Sequence, residues 1–320
     1  MSMKPPILTA ATLVAVFAGP LAAVDSTLLN LVMPDAKVLA GVNVQQAEGT
    51  LFGQFMLTQI QTQGAAQLQQ FVAMTGFDPT RDVSELLFAT NGVPQTGLAL
   101  ARGTFNPQAI QSSAQASGCT TETYQGLTLL EDPKQTHAVA FLNSTYAVAG
   151  DIASVKAAID RQSAPAPLAA AVILQANQWS GAQDAWVLTT VPPGSLNPAG
   201  NAPSAPNPAL QSALQNIQQA AGGVKFGAQI VVTGQAQADT AQNATALASA
   251  AQFLISLAQT QQKNAQLAAI LPSLSVAASG NLVNVSLSVP EAQAEQAVQS
   301  KPGAAPQNER RGPARGTRRL

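Results

Sequence analysis

The chain holds one histidine, His137, and one cysteine, Cys119. Those two residue types carry most nucleophilic and general-base chemistry, so they come first. A Ser-His-Asp triad or a Cys-His pair assembles in space, and sequence distance alone does not forbid either around His137. No Gly-x-Ser-x-Gly elbow accompanies it, and His137 opens an alternating apolar run, which predicts a partly exposed strand end. Cys119 follows Ser117-Gly118 at the end of a helical pattern. A reactive thiolate needs a helix N-terminus or cationic neighbours, and the local sequence supplies neither. A single cysteine excludes an intrachain disulfide and any multi-cysteine zinc site. A single histidine excludes a multi-histidine metal centre.

Asp78, Asp82 and Glu85 surround Arg81, but without the oxygen spacing of a calcium loop. Helix capping and a local arginine pair account for them. Glu131-Asp132 could supply half of an acid/base carboxylate pair. Adjacent positions point to opposite faces of a strand, so the two cannot be that pair together. Trp179 and Trp186 could stack on sugar rings; with aromatics at only 4% of the chain, packing the core is the expected role of both. No P-loop and no Gly-x-Gly-x-x-Gly phosphate fingerprint occurs. No cofactor is expected. The alternative to a binding role is a secreted hydrolase with an unfamiliar site.

The strongest address lies at the N-terminus. Lys4 precedes the uncharged apolar run Ile7 to Phe17, Gly19-Pro20 breaks it, and Leu21-Ala22-Ala23 offers small residues for cleavage. This is the layout of a secretory signal peptide over residues 1–23, cut after Ala23. The run is short of the ~20 residues that span a membrane. No transmembrane helix is expected after processing.

At the other end, residues 301–320 lack apolar periodicity and read as a disordered basic tail. The tail carries a net +5 while Val24 to Ser300 carries −7. Arg310, Arg311, Arg315, Arg318 and Arg319 could contact an anionic surface such as phospholipid headgroups. The acidic body gives no sign of nucleic-acid binding. The partner itself stays open: an envelope protein, or that surface.

Between these ends lie many short elements. Val38 to Val44 reads as a strand, and Thr50 to Thr75 as helix with a break at Gly64 and a stop at Gly76. Asp78-Pro79 and Asn106-Pro107 each cap a helix with proline at its first position. Glu85 to Thr90, Gly97 to Phe105 and Glu122 to Leu130 read as single strands. His137 to Leu142 and Thr145 to Ala149 form a hairpin, and Asp151 caps the next helix. Pro167 to Trp179 is helical and Ala185 to Val191 a strand. Residues 192–208 hold six prolines, which predicts an irregular loop. Asn207-Pro208 opens a predicted helix to Ala221, Lys225 to Ala238 reads as one strand, and Thr240 to Gln262 as a long helix. A last hairpin turns at Gly280-Asn281, and Pro290-Glu291 starts a final helix.

The order strand, helix, strand, strand, helix, strand matches a split βαβ unit, and the Asn-Pro helix starts recur. The reading is therefore α+β, mostly antiparallel with helices on one face, in two halves (24–163 and 164–300) that could each be ferredoxin-like. Three runs carry a resemblance. They are Gly76-Phe77-Asp78-Pro79 with Arg81-Asp82-Val83, then Ala101-Arg102-Gly103 with Phe105, then Ala149-Gly150-Asp151 with Val155, Ala158, Ile159 and Asp160. Over roughly residues 35–161 the chain resembles exported bacterial proteins that carry a domain of unknown function. The resemblance implies secretion and an α+β fold, and brings no active site with it. An exported periplasmic or cell-envelope binding protein is the expected role.

Overall fold

The computed structural model describes residues 23–63, 65–192, 216–261 and 270–299. Among these described residues, twelve strands form one sheet in the order β11-β12-β10-β9-β8-β1-β2-β3-β7-β6-β5-β4. The strands are β1 Val38–Asn43, β2 Val83–Thr90, β3 Leu98–Gly103, β4 Thr120–Tyr124, β5 Leu127–Glu131, β6 His137–Phe141, β7 Tyr146–Asp151, β8 Ala185–Thr189, β9 Ile217–Lys225, β10 Gln229–Ala238, β11 Ser275–Ser279 and β12 Leu282–Pro290. Every neighbouring pair among them is antiparallel. The protein is thus an α+β fold on an antiparallel sheet. A split βαβ unit needs parallel neighbours, so the ferredoxin-like arrangement does not form. Instead the chain starts mid-sheet at β1, runs to β3, jumps to the far edge at β4 and returns inward to seat β7 against β3. Then β8 docks on the free side of β1, and the remaining strands extend the sheet from there.

Two strand readings split. Residues 122–130 hold a turn, because Gln125 and Gly126 both take positive φ (51° and 79°), the geometry of a tight two-residue hairpin loop. The 225–238 run likewise divides into the end of β9 and all of β10. The predicted helix to Ala221 is strand over its described part: Ile217 starts β9. Its Gln/Ala-rich residues have good helix propensity, but pairing on both sides with β8 and β10 prevails. Residues 193–208 of the proline-rich stretch lie outside the described residues.

The helices divide between the two faces of the sheet rather than sharing one. Helices α1 Ser26–Leu31, α7 Ile152–Ser163 and α8 Ala170–Ala182 cover one face of the central strands. There Leu28, Val155, Ala158 and Ala176 meet Leu39, Leu87, Leu100, Val148, Trp186 and Leu188. Helices α2 Val44–Glu48, α3 Leu51–Gln63, α4 Ala65–Thr75, α5 Pro79–Asp82 and α6 Pro107–Ala116 follow in the first half. On the opposite face, Val44 of α2 packs with Phe77, Phe105, Phe141 and Ala147. The long helix α9 Ala241–Gln261 covers that opposite face at β9–β12. It inserts Ala244, Leu247, Ala248, Ala251 and Ile255 against Ala236, Ala238, Val276 and Val283. Leu257 near the end of the same helix is exposed. The final helix, α10, is Glu291–Gln299.

Two close approaches need glycine. At Gly41 a Cβ would sit 2.5 Å from the Trp186 indole that lies over it. At Gly223 a Cβ would sit 2.6 Å from the Gln183 side chain. The first seats the core of the central strands. The second shapes the site described below. Among the described residues, no helix is long and apolar enough to cross a membrane.

Candidate functional site

Most of the charged residues singled out in the sequence are held locally. Asp78 caps α5, accepting from the Thr80 backbone N at 2.9 Å, and Asp82 accepts from Arg81 Nε and from the Asp78 backbone N. That pairing holds the Asp82 carboxyl below its ordinary range, the Arg81 bond being the largest cause. Glu85 leaves this group, because the register shifts between Val83 and Glu85 and turns it to the α1 face. His137 is exposed, with Nδ1 2.9 Å from Thr136 Oγ1, and that hydroxyl donates to Asp132 Oδ2 at 3.0 Å. This chain is the nearest approach to a hydrolytic arrangement. It sits on an exposed turn and lines neither of the two hollows described below. Cys119 is a half-exposed free thiol. Glu131 turns inward and accepts from Thr120 Oγ1 at 3.4 Å.

Sequence reasoning missed one charged cluster. Asp25 caps α1, accepting from the Thr27 backbone N at 2.8 Å, and takes the Tyr146 hydroxyl at 3.0 Å. The Asp25 backbone N donates to Glu85 Oε1 at 3.1 Å. Arg102 Nε lies 3.5 Å from Glu85 and 3.7 Å from Asp25. Burial pushes the Glu85 carboxyl up, against the pull of the Asp25 N–H and of Arg102. The four residues are separated by as many as 121 positions, so no local signal announces them. They tie the segment at Asp25 to the sheet. Ala23 itself is exposed, whereas Val24 is buried in the core. The five tail arginines, Arg310, Arg311, Arg315, Arg318 and Arg319, lie outside the described residues.

A different surface forms where α8 stands beside the sheet. At β9–β12 the α9 side is apolar, so strand alternation sends the polar residues to the α8 side. They are Gln219 from β9, Thr233, Gln235 and Gln237 from β10, and Asn284 and Ser286 from β12, aligned by register. Of these, Thr233, Gln235, Asn284 and Ser286 line a hollow of about 360 Å³ together with Gln178, Trp179 and Gln183, and Gln219 and Gln237 line a smaller hollow beside it. That smaller hollow, of about 60 Å³, shares Gln178, Trp179 and Gln235 with the first, so the groove continues along the strands. Among the described residues, no Asp, Glu, Lys, Arg or His lines either hollow.

The groove has fixed internal bonds. Gln235 Nε2 donates to Asn284 Oδ1 at 3.0 Å, and the Gln219 amide donates to the Gln237 amide. Gln183 is 7% exposed. It lies in the notch left by Gly223 and donates Nε2 to Thr233 Oγ1 at 3.0 Å. Its Oε1 is buried without a hydrogen-bond partner. An amide oxygen left this way costs free energy until something donates to it. Directly below, Asp184 is fully buried and accepts from Lys225 Nζ and the Phe226 backbone N, both at 2.6 Å. That pair fixes the strand ends on which Gln183 stands. Core packing is the role expected from the sequence for both Trp179 and Trp186. Trp186 does pack in the core, while Trp179 packs against it and also lines the groove. Among the described residues, no cluster of three or more metal-ligating side chains occurs.

No family model matches the chain. No curated protein matches it in sequence either. Solved structures do. Crystal form III of TP0453 aligns with a TM-score of 0.55 at 11% identity, covering 85% of this chain and 98% of that one. Crystal form I of TP0453 aligns at 0.52 and 12% identity, over 87% and 98% of the two chains. At such identities the likeness speaks for the fold, and it spans nearly all of TP0453.

Proposed function

We propose that the protein is exported and works by binding, as a periplasmic or cell-envelope component. The observation that carries the binding role is the groove beside α8, where fixed amides and hydroxyls stand beside Trp179 with no titratable side chain among the described residues of the lining. Such a surface can orient a ligand through donors and acceptors. Acid, base and nucleophile chemistry would need groups that the described residues keep elsewhere and mostly engage in caps and pairs.

Export rests on the leader over residues 1–23 and on the resemblance to exported proteins. The exposure of Ala23 beside buried Val24 supports cleavage at that bond, since a peptidase needs an accessible chain. The basic tail adds an anionic envelope surface as a second contact. N-terminal sequencing of protein released from the periplasm is the test. A start at Val24 is the expected result. A cytosolic protein that retains Met1 or Ser2 with its leader overturns the export half of this reading.

A further inference from the structure

We infer that the groove between α8 and strands β9–β12 is a binding site for a neutral sugar chain. The inference rests on the binding role proposed above and gives that site its ligand class. Charge comes first. With no ionisable residue in the lining, a charged ligand would leave water for a surface that offers it no counter-charge, which is costly in proportion to its burial. A wholly apolar ligand would strip water from Thr233, Gln235, Asn284 and Ser286 and replace none of those bonds. A neutral molecule dense in hydroxyls avoids both costs.

The amide geometry fits that class. A carboxamide offers one carbonyl acceptor and two N–H donors. Once Gln235 Nε2 is committed to Asn284 Oδ1, Gln235 keeps its carbonyl oxygen and Asn284 keeps its NH2 group. An acceptor and a donor thus stand on adjacent strands, and a vicinal pair of sugar hydroxyls, each both donor and acceptor, can answer them together. Gln183 adds the decisive atom. Its side chain is held in the Gly223 notch and tied to Thr233, and its buried Oε1 has no partner. A solvated strand face does not need a glycine-seated glutamine with an orphaned oxygen. Gln183 itself lines the main hollow, so a small rotation of its amide brings that oxygen to a hydroxyl or acetamide N–H bound there.

Trp179 supplies the apolar half. Part of its indole packs on the central core and the rest lines both hollows. The negative face of an aromatic ring attracts the weakly positive C–H edge of a pyranose, and the flat apolar area suits a sugar better than a peptide side chain. The 360 Å³ main hollow falls in the range of small-ligand sites, about 300–1,000 Å³. The smaller hollow extends it along β10, which favours a linear chain over a single ring.

The test is titration of the purified protein with cellotetraose and with tetra-N-acetylchitotetraose, read by tryptophan fluorescence. The chain has two tryptophans, and Trp186 is buried over Gly41, so Trp179 dominates the response. The expected result is a saturable change with at least one of the two sugars. Gln183→Met, which removes the orphaned oxygen at near-constant volume, and Gln235→Ala should each weaken binding at least fivefold with unfolding midpoints close to wild type. A saturable response to neither sugar overturns the assignment, and so does sugar binding that both variants leave unchanged. A response to the neutral peptide N-acetyl-trialanine amide alone also overturns it, while leaving the binding role standing. A failure of export would show instead in the N-terminal sequence.

Discussion

Glu85 shows how one buried side chain couples the start of the folded body to pH. It faces the Asp25 carboxylate, the Arg102 guanidinium and the Tyr146 hydroxyl, whose bond goes to Asp25. Burial is the largest influence on its carboxyl and raises it above its ordinary value of 4.5. In the window above that value the folded protein holds more proton than the unfolded chain. Stability therefore falls as pH rises through the window and returns on acidification. Glu85→Gln keeps an oxygen for the Asp25 N–H and removes the titration. The variant-minus-wild-type difference in urea unfolding free energy should grow from pH 4 to pH 7. A difference flat across that range contradicts the account.

Helix α1 illustrates the scale of an element. Six residues are too few for a stable isolated helix. It exists because Asp25 caps it, because Leu28, Leu29 and Leu31 are buried, and because Arg161 Nε and Nη2 donate to the Leu31 carbonyl at 3.0 and 2.8 Å. The guanidinium satisfies a carbonyl that the helix end would otherwise leave bare. Leu28→Ala at a fully buried site should cost about 3 kcal/mol, measured as a shift in the denaturant midpoint at constant m. A cost under about 0.5 kcal/mol, typical of surface sites, would mean that α1 is not docked as described.

The whole molecule combines an acidic body with a basic terminal segment, which separates two modes of contact. The neutral groove should be insensitive to salt. The tail, with six Lys and Arg against one Glu over residues 301–320, should act through long-range attraction, at about 1 kcal/mol per basic residue near an anionic surface. We expect the full chain to bind phosphatidylglycerol-containing vesicles at 20 mM salt and to lose much of that binding at 300 mM, where screening shortens the reach of the charges. Deleting residues 301–320 should abolish vesicle binding and leave groove-ligand affinity unchanged. Equal vesicle binding with and without the tail removes the role assigned to it.

The charge asymmetry, the Asp78-Pro79 and Asn106-Pro107 caps, and the hairpins at residues 143–144 and 280–281 were readable from residue order, because each depends on neighbours within a few positions. The same locality explains what was misread. The Gln125-Gly126 turn lacks the usual Asn-Gly signature, and the helix-favouring residues of β9 are strand only because two neighbouring strands claim them. The groove was invisible for a stronger reason. Gln183, Gly223, Thr233, Gln235 and Asn284 become neighbours through the order β12-β10-β9-β8 and its register. Nothing in their spacing specifies that order. Which face α8 covers and which α9 covers then decides that these amides meet a tryptophan in an open hollow. Local chemistry chose the elements, and long-range pairing chose which of their side chains could act together.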